Sequence, residues 1–151
     1  MNILALDCSL KTGWATLING RIESGTQDFT KKRGESNGLV FMRFNAWLDS
    51  LGKYDLVVME QAHHRGGAAT NLCVGLTTRV EEFAQRIGAE CMPIHSATLK
   101  KFVTGSGRAG KDLMIVAFEK TVGRTPVTDD ESDAYFLLKL AMNEFNITQE
   151  V

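Results

Sequence analysis

Two short apolar runs, Ile3-Leu-Ala-Leu6 and Leu56-Val-Val-Met59, each stop at a carboxylate, Asp7 and Glu60. A brief, continuous apolar run reads as a strand buried on both faces, the centre of a sheet covered by helices. An acid at the mouth of such a strand is costly unless it is paired or bound to a cation. Two carboxylates about 4 Å apart repel by roughly 4 kcal/mol at an effective dielectric of ~20. If the fold makes these strands neighbours, cations must hold their ends together.

The rest of the pattern says how they become neighbours. Asn2 to Leu6 reads as a first strand, and Trp14 to Ile18 as a second that ends at Asn19-Gly20, the strongest short hairpin signal. Arg21 to Phe29 returns as a third, so the first three strands form an antiparallel meander. After a polar loop, Lys31 to Asn37, the residues Val40, Phe44, Trp47, Leu48 and Leu51 recur at helical spacing. Asp55 to Glu60 is then a buried central strand. Leu72, Leu76, Val80, Phe83, Ala84 and Ile87 stripe a long helix that stops near Gly88. Glu90 to Ile94 is a fifth strand, Ser96 is positioned to cap a short helix, and Leu113 to Lys120 and Asp130 to Phe145 are the last two helices. Three antiparallel strands followed by helix, strand, helix, strand and further helices is the order of a ribonuclease-H-like mixed five-stranded α/β sheet, with the fourth and fifth strands parallel. In that layout the ends of the first and fourth strands adjoin, and Asp7 converges with Glu60.

The last helix supplies more acid. Asp129-Asp-Glu-Ser-Asp133 precedes the apolar run Ala-Tyr-Phe-Leu-Leu, and the i, i+3 spacing of Asp130 and Asp133 puts both on one face. N-capping and the helix dipole account for one of these acids. They do not account for Asp133, which adjoins the apolar run and is expected to face inward. Four acids, Asp7, Glu60, Asp130 and Asp133, thus suggest a metal site, with Asp129 an alternative to Asp130.

Composition places this site in an ordinary globular chain. At 151 residues, 44% apolar and 23% charged, residues 1–151 fit one domain with one core. The N-terminal apolar run is too short for a secretory signal, and no stretch is long enough to span a membrane. Three cysteines, Cys8, Cys73 and Cys91, lack metal-type spacing and read as reduced thiols of a cytoplasmic protein, with Cys73 and Cys91 in the core. Net charge is only −1, yet residues 1 to 111 hold 14 Lys and Arg against 10 Asp and Glu, whereas residues 112 to 151 hold 3 against 8. A basic surface beside an acidic, metal-filled site fits DNA.

Two glycine-rich segments bear on phosphate. Gly105-Ser-Gly-Arg-Ala-Gly110 satisfies GxGxxG, and Gly105 to Lys111 opens like a P-loop. Both motifs require a preceding strand, whereas residues 96 to 103 have helical periodicity, and Asp112 stands where a P-loop carries Ser or Thr. No nucleotide cofactor is expected. What remains is a basic region with Lys100, Lys101, Arg108 and Lys111, suited to gripping phosphate, and a second one at His63-His64-Arg65-Gly66-Gly67. Adjacent histidines diverge, so zinc is not expected there. An ion pair of Glu60 with Arg65 is the non-metal alternative for that acid.

The strand ending at Asp7 with its Asp-x-Ser-Leu-x-Thr-Gly-Trp-Ala sequence, Met-Glu-Gln at 59 to 61, Gly-x-Gly-x-Ala-x-Lys from Gly105 to Lys111, and Asp-x-x-Asp-Ala from Asp130 to Ala134 occur in the order and spacing of one family. Over nearly its whole length the chain resembles the RuvC-type Holliday-junction resolvases, most of all the small phage-type members. The resemblance implies that Asp7, Glu60, Asp130 and Asp133 form an acidic metal-binding tetrad and that Lys100 and Lys111 match the family's two active-site lysines. It also implies a magnesium-dependent homodimer in which each subunit nicks one strand of a four-way DNA junction. Two departures stand out: Cys-Ser-Leu follows Asp7 in place of the bacterial Pro-Gly-Ser, and His63 takes the position of an aromatic that stacks at the junction.

The expected activity is that of a structure-selective endodeoxyribonuclease of DNA recombination and repair. Two Mg²⁺ ions, with Mn²⁺ as a substitute, are held by the tetrad, giving 5′-phosphate and 3′-hydroxyl ends. Lys111 neutralises charge on the phosphoryl oxygens, while Lys100, Lys101, Arg108, Arg65 and His63 hold the DNA backbone. Two-fold DNA suggests a two-fold protein, with the long second helix and the loop before it as interface. Three alternatives stand beside this: a nuclease of the same fold cutting flaps or RNA–DNA hybrids, a non-catalytic junction-binding module, and a sugar-kinase-like ATPase, which needs two such domains where this chain has room for one.

Overall fold

The computed structural model describes residues 1–62 and 66–149. Five strands, β1 (Ile3–Asp7), β2 (Lys11–Ile18), β3 (Arg21–Asp28), β4 (Leu56–Glu60) and β5 (Glu90–Ile94), form one sheet in the order β3-β2-β1-β4-β5. The helices are α1 (Asn37–Ser50), α2 (Ala68–Ile87), α3 (Ser96–Thr104), α4 (Lys111–Val122) and α5 (Asp129–Glu144). β1 pairs antiparallel with β2 and parallel with β4, and β4 pairs parallel with β5. This is the mixed ribonuclease-H-like sheet expected from the order of elements.

Strand periodicity assigns the two faces. Ile3 and Ala5 of β1, with Leu56 and Val58 of β4, pack among residues of α3, α4 and α5. Leu4 and Leu6, with Val57 and Met59, pack against α1 and α2. Since successive side chains point to opposite faces, Asp7 and Glu60 continue the rows that face α5. The register Leu6 opposite Met59 sets the two acids side by side at one end of the sheet.

Local chemistry explains the turns. Asn19 and Gly20 both have positive φ, at 51° and 80°, the backbone that a tight two-residue hairpin demands and that Asn-Gly accommodates. α5 is buried on nearly every side, with Ala134, Leu137, Leu138 and Ala141 wholly enclosed. Each fully buried Leu contributes about 1.5–3 kcal/mol, so this helix is the internal strut of the fold. Thr128 caps it by accepting from the Glu131 N–H at 3.3 Å, and Ser132 donates to the Met114 carbonyl of α4 at 3.0 Å.

Several boundaries and placements differ from expectation. β2 begins at Lys11, three residues before Trp14, because Thr12 and Gly13 continue the ladder opposite Gln27 and Thr26 of β3. The N-cap of α3 is His95, whose Nδ1 accepts from Ala97 N–H, and Ser96 is the first helical residue. Cys73 and Cys91 are half-buried, Cys91 packed against the edge of the core, while Cys8 is buried within it. Cys73 lies on α2 and Cys91 on β5, and a thiol one position off a buried row reads in sequence much like one on it.

Candidate metal centre

Three elements deliver four acids to one point. Asp7 ends β1, Glu60 ends β4, and Asp130 and Asp133 lie on the first turn of α5. Carboxylate oxygens of Asp7, Glu60 and Asp133 all lie within 4.8 Å of one another. Asp130 adjoins them: Ser9 donates from its hydroxyl to Asp130 Oδ2 at 3.1 Å, and a side-chain hydrogen bond links Asp130 with Asp7. Asp129 pairs with Lys111 Nζ at 3.1 Å. Of the two neighbouring acids, Asp130 is the one hydrogen-bonded to Asp7 and Ser9.

A glycine makes this convergence possible. Gly13 of β2 sits opposite Asp7 in the β1–β2 register, and a Cβ there would lie 1.9 Å from the Asp130 carbonyl oxygen and 2.6 Å from the Glu131 nitrogen. Only a residue without a side chain lets the head of α5 rest on the sheet beside Asp7. A glycine inside a strand pattern signals such close backbone approach. The signal was present in Lys-Thr-Gly-Trp, but its partner was not.

The electrostatics record how crowded the acids are. Burial pushes Asp7 well above the ordinary carboxylate range, and the charges of Glu60, Asp133 and Asp130 push it further. Asp133 is raised to about 7, first by burial and then by Glu60, Asp129 and Asp130. Asp130 is raised chiefly by burial, against the lowering effect of its hydrogen bonds to Asp7 and Ser9. Acids crowded together with so little positive charge among them make a setting that a cation suits. Hard carboxylate oxygens at this spacing suit Mg²⁺, Mn²⁺ or Ca²⁺ rather than a thiophilic metal. The donor set fits a divalent ion.

Beside the acids opens a cleft of about 220 Å³ whose walls include Asp7, Glu60, Gln61, Thr70, Cys73 and Thr77. It runs between the ends of β1 and β4 and the first turns of α2. Lys111, the first residue of α4, has its side chain 80% exposed and reaches the cluster's edge through Asp129. Its ammonium is raised by its hydrogen bond and charge pairing with Asp129, with smaller contributions from Asp130 and Asp133. Lys100 and Lys101 lie on α3, and Arg108 lies in the loop before α4. Among the described residues no ion pair ties these three to the acids. α3 directly precedes the glycine-rich loop, so the strand a nucleotide-binding loop requires is replaced by a helix. His63 and Arg65, expected to hold DNA, lie outside the described residues, as does the expected alternative pairing of Glu60 with Arg65.

Reasoning from sequence missed three groups. Ser9 was seen only as part of a turn, yet it orients Asp130. Gly13 was read only as part of a motif. Glu131 was passed over between Asp130 and Asp133, although it is fully buried and receives Arg124 Nη2 at 2.5 Å, Ser24 Oγ at 2.6 Å and Val127 N–H at 2.7 Å. In a run of four acids in five residues, nothing local distinguishes the one that is tied down.

A sheet of this order with acids at the ends of its central strands and on the helix laid across them defines the ribonuclease-H-like class. Within that class, the structure of RuvC from Thermus thermophilus in complex with Holliday junction substrate matches with a TM-score of 0.77 at 13% identity, over 100% of this chain and 99% of that one. The Thermus thermophilus RuvC structure matches with a TM-score of 0.72 at 14% identity over 100% of both chains. The fowlpox virus Holliday junction resolvase matches with a TM-score of 0.54 at 14% identity, over 95% of this chain and 99% of that one. No protein-family model and no curated protein matches by sequence. The chain has the fold of the RuvC-type resolvases from end to end.

Proposed function

We propose that this protein is a metal-dependent endonuclease that resolves four-way or branched DNA junctions by paired nicks. The observation that carries the reading is the meeting of Asp7, Glu60 and Asp133 within 4.8 Å, on a fold shared throughout with junction resolvases. Asp7, Glu60, Asp130 and Asp133 would hold two Mg²⁺ ions, for which Mn²⁺ substitutes. Bound divalent ions supply a water of lowered pKa as nucleophile and charge stabilisation at the leaving oxygen. Ser9 holds the Asp130 carboxylate in place, and the buried strand ends fix Asp7 and Glu60 so that no reorganisation is needed when the phosphate arrives. Lys111, at the edge of the cluster and exposed, is placed to meet a phosphoryl oxygen. Lys100, Lys101, Arg108, Arg65 and His63 would track the DNA backbone. Direct attack by water leaves 5′-phosphate and 3′-hydroxyl ends and no covalent enzyme intermediate.

Two coordinated cuts on a two-fold substrate call for a homodimer, with α2 and the loop before it as the surface between subunits. Light scattering that finds a strict monomer at working concentration removes this part.

The test is cleavage of a synthetic four-way junction in Mg²⁺ and in EDTA, beside a flap and an RNA–DNA hybrid. Cutting of the junction that depends on metal and is abolished in Asp7→Asn supports the reading. Preferential cutting of the flap or hybrid moves the protein to another substrate class, and junction binding without cutting makes it a non-catalytic module.

A further inference from the structure

The first turn of α5 faces two opposite demands. Asp130 and Asp133 carry it toward Asp7 and Glu60, a group of like charges that repel. The same turn is fastened on its other side by Glu131, which is wholly buried. Glu131 accepts from both guanidinium nitrogens of Arg124, at 3.3 and 2.5 Å, from Ser24 Oγ at 2.6 Å and from Val127 N–H at 2.7 Å. Arg124 Nη2 also donates to Ser24 Oγ at 3.2 Å, and its guanidinium stacks 5.2 Å from the Phe118 ring of α4. The fastening thus reaches β3, the α4–α5 connection and α4 at once. Next to it, Thr26 and Thr128 share a hydroxyl hydrogen bond of 2.9 Å that ties β3 to the N-cap of the same helix.

We propose that Glu131, clamped by Arg124 and Ser24, is a positioning residue that holds the head of α5 against the sheet so that Asp130 and Asp133 stay at ion-binding spacing before any ion is present. The inference rests on the metal-centre reading above. Glu131 touches none of the four acids' ion-facing oxygens in this role. It acts through the one turn of helix it shares with two of them. A bidentate Arg–carboxylate pair fixes orientation as well as distance, and the rigid backbone of a helical turn transmits that orientation to residues one before and two after. Without the clamp, repulsion within the cluster opens the turn, and an ion must then close it again as it binds.

The experiment is Mn²⁺ binding to the full chain in the absence of DNA, measured by calorimetry and by the loss of free-ion paramagnetic resonance signal. Four variants are compared with the parent at a temperature where circular dichroism shows each fully folded: Glu131→Gln, Arg124→Met, Arg124→Lys and Ser24→Ala. Outer-shell partners of metal ligands commonly change affinity by roughly 10- to 100-fold. Arg124→Met, which keeps the apolar stem on Phe118, and Glu131→Gln are expected to weaken Mn²⁺ in that range, Ser24→Ala less, and Arg124→Lys is expected to restore part of the loss. Junction cleavage in the variants is expected to recover at high Mn²⁺, as a shift in metal requirement with the maximal rate retained. Unchanged Mn²⁺ affinity in folded Arg124→Met and Ser24→Ala, with the parent binding normally, overturns the positioning role alone. Absence of Mn²⁺ binding by the parent overturns the metal centre and this inference with it.

Discussion

Two sets of acids occupy one turn of α5, and they are opposites. Glu131 has no exposed surface, yet its carboxyl is held below its ordinary range: burial pushes it up, but hydrogen bonds from Arg124, Ser24 and the Val127 N–H outweigh that push. Asp130 and Asp133, one position before and two after, are less buried and are nevertheless raised. The difference is in partners. Every lone pair Glu131 offers meets a donor, while the cluster of Asp7, Glu60 and Asp133 meets chiefly other acids. A buried charge that is fully satisfied is architecture, and one that is left short of positive charge marks where a cation belongs.

The sharpest way to break this contrast is to neutralise one acid from each set. Asp7→Asn is expected to lower metal-dependent junction cleavage by about 10²–10³-fold, the scale of losing one preorganised electrostatic group. In the metal-free protein it is expected to raise the melting temperature increasingly as pH rises, because the amide cannot ionise beside Glu60, Asp133 and Asp130. Glu131→Gln has the reverse sign for stability, a loss of about 1.5–3 kcal/mol from weakened charged hydrogen bonds. Thermal unfolding in EDTA checks both. If the two variants shift melting in the same direction, the division into satisfied and unsatisfied acids is wrong.

Gly13→Ala comes next in size. Its methyl group would fall on the Asp130 carbonyl, so the head of α5 must lift from β2, at a cost of about 1–3 kcal/mol for overpacking. The lift carries Asp130 and Asp133 away from Asp7, and Mn²⁺ affinity is expected to fall together with stability. A variant of parental stability and affinity would show that α5 has slack that the contact denies.

How much of this was readable beforehand depends on whether the signal was local. β1 and β4 were legible because short apolar runs ending in acid have one economical reading, and the Asn19-Gly20 turn announced the hairpin. The neighbouring of the first and fourth strands followed from matching the order of elements to a ribonuclease-H-like layout. Asp7, Glu60, Asp130 and Asp133 were identified as candidates because the i, i+3 spacing and strand ends are sequence-visible. Glu131 was not, because its partners Ser24 and Arg124 come from β3 and the α4–α5 connection, and no short-range pattern encodes them. Cys73 was placed in the core although it lines the cleft, since one residue's rotation on a helix separates those outcomes.

Acidity offers a graded test of the same contrast. Asp7, Asp130 and Asp133 are raised in the folded state, so the metal-free fold binds more protons than the unfolded chain between their unfolded values and their folded ones. For Asp133 that window runs from about 4 to about 7, and stability contributed by its protonated form is lost as pH rises through it. Glu131 is lowered, so its contribution is present above its unfolded value and is lost as pH falls through the folded one. Saturating Mg²⁺ replaces the protons on the cluster. Its stabilising effect is therefore expected to be larger at pH 8 than at pH 5, with about 2–4 °C of melting temperature for each kcal/mol of repulsion relieved. Equal Mg²⁺ shifts at both pH values would mean that the ion binds elsewhere.

The smallest effect on stability is expected from Lys111. Its pair with Asp129 joins an 80% exposed side chain to a 35% exposed one, and such pairs contribute about 0–1 kcal/mol. Lys111→Met should leave melting nearly unchanged, which makes it a clean probe of charge. If the lysine serves the phosphate, its loss lowers the cleavage rate at saturating Mg²⁺, whereas Asp129→Asn, which frees the ammonium and takes one negative charge from the neighbourhood of Asp133, spares the rate. If the lysine serves only to anchor Asp129, the two variants behave alike. The comparison separates a cation that belongs to the chemistry from one that belongs to the helix end, the same division that Glu131 and Asp133 draw among the acids.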